Sequence, residues 1–287
     1  MHRLPRQANL PEDVVNNPRV QYNIGKTENF PVHVPTFLQK NDGDPAIKAN
    51  IVLFFTCFHV LIPLFQKFFP KLRAHLLPRI QEVLQREAAS TPEHSGFGTT
   101  YNAGRTVTLN VDHDVCNLVF LKKDRIYHHK LSRFHFTTYD VQRGTDIINP
   151  GTSRCNIMLL ANDTAADHSA NPHHFLYARV LGVYHANVIY TGPGMRDYEA
   201  RRLDFLWVRW YEVMDPVSSG WHSSNLDSVR FLPLNGDGAF GFVDPQDVLR
   251  GCHIMPNFAE GKRHAAGVGI SLCAKDGRDY NCYYVGR

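Results

Sequence analysis

The chain has 287 residues, 43% of them hydrophobic and 20% charged, which is enough apolar material for one large or two small globular domains. Its formal charge of +4 is unevenly spread: from Phe175 to Arg287 the 12 Lys and Arg balance the 12 Asp and Glu, so any polyanion-binding surface belongs upstream. The six cysteines form no CxxC pair, and MHRLPRQANLPED lacks the apolar core of a secretory signal, so reduced thiols and a nuclear or cytoplasmic location are expected, not secretion. The Asn162-Asp163-Thr164 sequon is then a chance match.

Residues 1–48 show no sustained period and read as an extended N-terminal arm; their Gly25-Lys26-Thr27 lacks the upstream glycine of a phosphate loop. An apolar insert follows at 49–66. Its run from Ile51 to Phe65 has no formal charge but includes His59 and Pro63, and it is short of the roughly 20 residues a spanning helix needs. It reads as a buried core segment or as a membrane anchor, the membrane being the less expected. At 67–90, Leu72, Leu76, Ile80 and Leu84 make one stripe of an amphipathic helix, which Pro70 suits at its first turn and Pro78 should kink or divide.

Residues 100–161 form a strand-rich basic region with RTVTLNV, NLVFL, RFHFTTYDV and CNIMLL as short β-runs. Between Leu121 and Arg154 seven cations face three acids, and Lys122, Lys123, Arg125, Lys130 and Arg133 are the candidate phosphate contacts. The alternative is a solvated strand edge guarded by charge. Residues 174–258 carry two long strand patterns. In Tyr177 to Tyr190, Ala178, Val180, Gly182, Tyr184, Ala186 and Val188 share one face, while Arg179, His185 and Asn187 share the other with Leu181 and Val183. Leu203 to Val213 is apolar on both faces, the mark of a central strand, and Arg209 between Trp207 and Tyr211 is placed to stack on either ring. In Asp244-Pro245-Gln246-Asp247, Asp244 reads as a cap ahead of a turn. Residues 259–287 read as a C-terminal tail.

Catalytic chemistry finds no motif. The pairs His128-His129 and His173-His174 point opposite ways on a strand, and no HExxH, CxxC or deaminase pattern accompanies the 16 histidines, so no metal site is expected. Asp112, Asp114 and Asp140 could serve a two-metal nuclease or a transposase accessory, but Asp112-His113-Asp114 is equally a turn with exposed acids. There is no GxSxG elbow, GxGxxG or phosphate loop. The expectation is a protein without catalytic residues or cofactor.

The order ARVLGVYHANVIY, FLWVRWYEV, FGFVDPQDVLRGCHIMP, with DRIYHHKLSRFHFTTYDVQRGTDIINPGTSRCNIMLL before it and DYNCYYVGR after it, resembles a group of uncharacterised transposon-associated reading frames of mushroom-forming fungi, over most of residues 117–287. In that comparison Asp44-Pro45-Ala46 passes almost directly to Pro70-Lys71-Leu72. The resemblance therefore makes a retained intron a third reading of 49–66, and implies a chain that continues past Arg287. A remoter resemblance is to bromo-adjacent homology (BAH) domains, small β-barrels of chromatin proteins. It rests on Ala178-Arg179-Val180, Val208-Arg209-Trp210-Tyr211 and Leu249-Arg250-Gly251-Cys252-His253-Ile254 in that order. Arg250 stands where those domains carry Lys, and MDPVSSGWHSS lacks their arginine-proline-glutamate run. The resemblance implies a reader of histone tails or another chromatin protein.

The sequence thus predicts an α+β, mainly β protein: one kinked helix, a basic strand-rich region and a C-terminal BAH-like barrel. Its expected role is non-catalytic binding, with Arg179, His185, Tyr198, Trp221 and His222 contacting a protein partner near loops. The rival expectation is nucleic-acid binding by 121–154. Oligomeric state is not legible.

Overall fold

A computed structural model describes residues 22–24, 29–33, 68–90, 118–137, 143–161, 175–214, 226–236, 238–271 and 274–286. The apolar run at 49–66, the RTVTLNV segment, Trp221 and His222 lie outside the described residues. The described chain is mainly β, with one helix. Its strands are β1 (Tyr22–Asn23), β2 (Asn29–His33), β3 (Val119–His129), β4 (Ser132–Thr137), β5 (Arg143–Ile148), β6 (Asn156–Leu160), β7 (Phe175–Tyr190), β8 (Arg201–Val213), β9 (Asp227–Phe231), β10 (Phe240–Val243), β11 (Val248–Gly251), β12 (His253–Pro256) and β13 (Tyr283–Gly286), and the helix is α1 (Phe68–Ser90).

Every pairing is antiparallel. The large sheet runs β11-β6-β7-β8-β9-β13-β12, with β10 also on β8 and β3 joining β7 to β2; a small sheet runs β1-β4-β5. The 16-residue β7 is long enough to pair β6 along its first third and β3 along its second half. Strands of the basic region and of 174–258 therefore share one sheet. Two segments of the arm and one of the tail join it or its small neighbour as β2, β1 and β13.

β8 is central, as its two apolar faces predict, and it divides the core. On one face Leu203, Phe205 and Trp207 pack with the Leu72, Leu76, Ile80 and Leu84 stripe of α1; on the other, Leu206 and Val208 pack with Phe134 and Ile148 of the small sheet. Each such buried aliphatic side chain contributes roughly 1.5–3 kcal/mol. α1 runs through Pro78, which lies on its exposed side, so its ring displaces nothing from the apolar stripe. The helix is pinned by polar contacts at the sheet: Arg79 Nη1 donates to the Asp204 carbonyl at 2.8 Å, Arg79 Nε meets Asp244 at 2.6 Å, and Arg201 meets Glu87 at 2.7 Å.

The alternation read in β7 breaks at a bulge between Val180 and Gly182. Ala178 and Val180 pack with the small sheet, but beyond the bulge Tyr184, Ala186 and Val188 pack under α1. One extra residue moves all later side chains to the other face. Gly182 is required there, because a Cβ would run into the Tyr184 ring.

The third core cluster joins Met158, Tyr177, Tyr211, Phe231, Leu249 and Tyr283 from six strands. Into it project Arg179 and Arg209, directly opposite each other on β7 and β8. Arg209 is 0% exposed. One carboxylate, Asp279, meets both guanidiniums, at 2.5 Å from Arg209 and 2.8 Å from Arg179. Both also lie over the Phe231 ring, at 3.8 and 4.3 Å from its centroid. Arg209 thus stacks neither on Trp207 nor on Tyr211; its ring is Phe231 on β9, 22 residues downstream, which sequence spacing could not indicate, while Tyr211 stacks on that same Phe231 at 4.1 Å. Burial acts to lower the Arg209 pKa and Asp279 acts against it, and a guanidinium remains charged throughout the physiological range.

Asp279 arrives there on a stapled loop. The buried Asp276 accepts from the backbone N–H of Ile270 (2.8 Å) and Ser271 (2.9 Å), and its carbonyl accepts from Asp279 N–H (3.0 Å). Arg263 N–H donates to the Asp279 carbonyl at 2.8 Å. Removing one carboxylate would leave two buried cations facing each other. Asp279→Ala should therefore lower the unfolding free energy by about 3 kcal/mol or more, read as the urea midpoint; a loss below about 1 kcal/mol would show that the cluster is not a structural centre.

Candidate nucleic-acid interface

The basic run of β3 is where strand geometry and sequence conflict. Val119, Leu121 and Ile126 are all buried under α1. Leu121 and Ile126 are five residues apart, so a regular strand would send them to opposite faces. β3 resolves this by expelling residues. Leu121 pairs with Val188 and Ile126 with Ala186, so the four residues Lys122 to Arg125 stand opposite Asn187 alone, three more than a regular ladder holds. The surplus is absorbed in a turn where Lys123 has φ 59° and Asp124 φ 49°. Two successive non-glycine residues in the left-handed region cost roughly 1–2 kcal/mol each. Burial of Leu121 and Ile126 outweighs that cost.

The consequence is a bulge with Lys122, Lys123 and Arg125 exposed and Asp124 as its one acid. Register places further residues beside it. Phe120 pairs with Ile189, Tyr127 with His185, and Asn187 and His185 with Arg202 and Asp204 of β8, so these side chains share the sheet face away from α1. Phe120 is 38% exposed, Arg202 is exposed and bound to Asp204 at 2.8 Å. The bulge and the adjoining strand residues together carry four cations (Lys122, Lys123, Arg125, Arg202) against two acids (Asp124, Asp204), a sum of +2.

Lys130 and Arg133 do not join them. Lys130 is exposed in the turn between β3 and β4, and Arg133 lies on β4 between Asn23 and Ile147 of the small sheet. Of the residues expected at a protein partner, Arg179 is tied to Asp279, and its carbonyl-directed Nη1 also reaches Lys275 at 3.4 Å. His185 is only 6% exposed. The bulge in β7 explains both: it puts Arg179 and His185, which strict alternation assigns to one polar face, on opposite faces, each covered. Tyr198 alone of the described members is open, 71% exposed in the β7–β8 loop.

His185 is held by its neighbours. Its Nδ1 lies 2.6 Å from Nε2 of the fully buried His129, and the Tyr127 ring stacks on it at 4.5 Å and 5°. His128 faces the opposite way, towards Tyr184, as adjacent strand residues must. Burial, then Arg202 and His129, bring the His185 pKa down to about 3. His75 on α1 is likewise lowered to about 3 by burial and by Arg79. Among the described residues no group of three His, Cys, Asp or Glu could hold a metal ion.

Comparison with protein-family models, curated proteins and solved structures returns no match. The surface must be read from its own chemistry. Sequence reasoning found Lys122, Lys123 and Arg125 but missed Phe120 and Arg202, whose only trace in the sequence is the odd spacing of Leu121 and Ile126 around a charged run.

The two depressed imidazoles set a pH dependence. Unfolded, each titrates near 6.5; folded, each stays neutral to about 3. Between these values the unfolded chain binds more protons, so their contribution is complete above pH 6.5 and is lost as pH falls towards 3, at about 1.4 kcal/mol per pH unit for each imidazole. His75→Gln, which keeps an acceptor for Arg79, should cut the slope of unfolding free energy against pH between 6 and 4 by about 1.4 kcal/mol per unit; an unchanged slope would refute the assignment.

Proposed function

We propose that this protein is a non-catalytic binding protein that engages a nucleic-acid phosphate backbone through Lys122, Lys123 and Arg125. The observation that carries this reading is the β3 bulge: packing expels four residues as a strained turn, and the three cations among them are all exposed. Such strained turns concentrate at functional sites. A merely solvated edge would need no bulge; β2 covers the far side of β3 only from Arg125 to His129, up to the base of the bulge. Phosphate contacts of this kind supply affinity without sequence preference.

A second reading is supported by the strand order. β11 and β12, at the two ends of the seven-strand path, are one chain segment bent at Cys252, whose N–H donates to the Asn156 carbonyl at 3.1 Å. A strand that pairs at both ends of a sheet in this way is how small barrels close, which favours the BAH-type barrel suggested by Arg179, Arg209 and Arg250. In that reading the arginines are framework, and Tyr198, Trp221 and His222 in the loops meet a histone tail or another chromatin protein. The likeness to transposon-associated reading frames supports a mobile-element origin and a nuclear setting; no described helix is long and apolar enough to cross a membrane.

The test uses the full chain. Anisotropy titration of a labelled oligonucleotide should show log K falling linearly with log salt, and Lys122→Ala with Lys123→Ala should reduce that slope by roughly 1.4 to 1.8. A slope unchanged in the double variant would remove the bulge from consideration. Titration with histone-tail peptides should show saturable binding that Tyr198→Ala weakens severalfold if the second reading holds, and no binding if it does not.

A further inference from the structure

We infer that the nucleic acid taken by this face is an unpaired strand, with Phe120 as a platform for one of its bases; the inference rests on the phosphate-binding reading above and specifies its ligand.

Phe120 sits between Val119 and Leu121, both buried under α1, and points to the other face, where it is 38% exposed. It therefore belongs neither to the helix-side core nor to the cluster under the small sheet. It lies two residues before Lys122 on the same strand. Ile189 is its direct neighbour on β7, and Asn187, the residue faced by the bulge, is one same-face step further along, about 7 Å away. Arg202 stands beside Asn187 on β8. An open aromatic ring thus adjoins the bulge cations within the reach of adjacent nucleotides. Tyr127, beyond the bulge, has one ring face already occupied by His185, so Phe120 is the ring that a ligand can use.

A duplex makes a base face available to such a ring only at the cost of unstacking, because its bases are already stacked on one another and it offers mainly phosphates and groove edges. An unpaired strand offers both phosphates and base faces, and sheet-borne aromatics flanked by cations bind it by stacking and charge together. The helix argues the same way. α1 buries its apolar stripe on the sheet, and its exposed residues Pro78, Glu82, Gln85, Arg86, Ala88 and Ala89 include a single cation, itself paired with Glu82 at 2.5 Å. No described helix is free to enter a major groove. Asp124 belongs to the bulge itself and Arg202 is bound to Asp204, which confines the positive field to the bulge and favours a short contact.

The experiment titrates the full-length protein against one labelled sequence in three forms, single-stranded DNA, single-stranded RNA and duplex DNA, at one fixed salt concentration. Either single strand should bind at least about tenfold more tightly than the duplex. Phe120→Leu, which keeps apolar volume but not the π-face, should weaken single-strand binding about tenfold, leave duplex binding and the melting temperature unchanged, and be rescued by Phe120→Trp. Duplex binding as tight as single-strand binding, or Phe120→Leu binding like the parent protein, overturns the inference. If all three forms bind alike and Lys122→Ala with Lys123→Ala weakens all of them, the phosphate reading stands while the unpaired-strand inference falls. If none binds, both fall.

Discussion

Two arginines opposite each other on neighbouring strands, both turned into the core, can be tolerated only if a carboxylate reaches them. Asp279 does so, 100 residues downstream of Arg179 and 70 downstream of Arg209. The pairing is costly in isolation, because a net positive charge is held where Arg209 is wholly buried and its Nε and Nη2 find no hydrogen-bond acceptor among the described residues. The face of Phe231 offsets part of that cost, and the Tyr283 hydroxyl, 3.4 Å from Asp279, adds to the network. What the arrangement secures is register. A β7–β8 slip of one residue would bury a guanidinium away from Asp279, and a C-terminal segment docked elsewhere would leave two cations uncompensated. The buried Asp276 loop and the β9-β13-β12 pairing both serve to deliver that carboxylate.

The candidate interface depends on the same sheet by a different route. β3 must match a β7 already fixed between β8, β6 and α1. Apolar burial wins over ladder regularity: Leu121 and Ile126 both go under the helix, and the residues between them are expelled. Charge accumulates there because what is expelled faces water. The structure thus turns a packing mismatch into a projecting basic turn, next to a Phe120 that the core does not use. His129 and His185 behave in the opposite manner: the two imidazoles lie 2.6 Å apart inside the sheet, and burial holds His185 neutral.

How much of this was legible follows the physics of each signal. The stripe Leu72, Leu76, Ile80 and Leu84 announced an amphipathic helix with one face to bury, though not what it buries it against, since a period near 3.6 survives any tertiary context; the two apolar faces of β8 announced a central strand for the same reason. Asp244 as a cap was also legible, and its carboxylate accepts from Gln246 N–H at 2.9 Å. The face assignments of Arg179 and His185 were not. A period of two carries no memory across an inserted residue, and neither Val180-Leu181-Gly182 nor Lys122-Lys123-Asp124-Arg125 marks itself as a bulge by composition alone.

By itself the sequence determined that β7 and β8 are long strands, which stretch is the helix, where the positive charge is concentrated and that no familiar catalytic motif is present, because propensity, period and composition are local quantities; the strands of the arm and the tail, β1, β2 and β13, it did not mark. Only the tertiary structure decided which side of each strand is covered, that Phe231 and not Trp207 or Tyr211 receives Arg209, that Asp279 neutralises two arginines, and that Lys122, Lys123 and Arg125 project together while Lys130 and Arg133 lie elsewhere. Those outcomes depend on parity after a bulge and on partners tens of residues away, and both are fixed by packing the sheet as a whole.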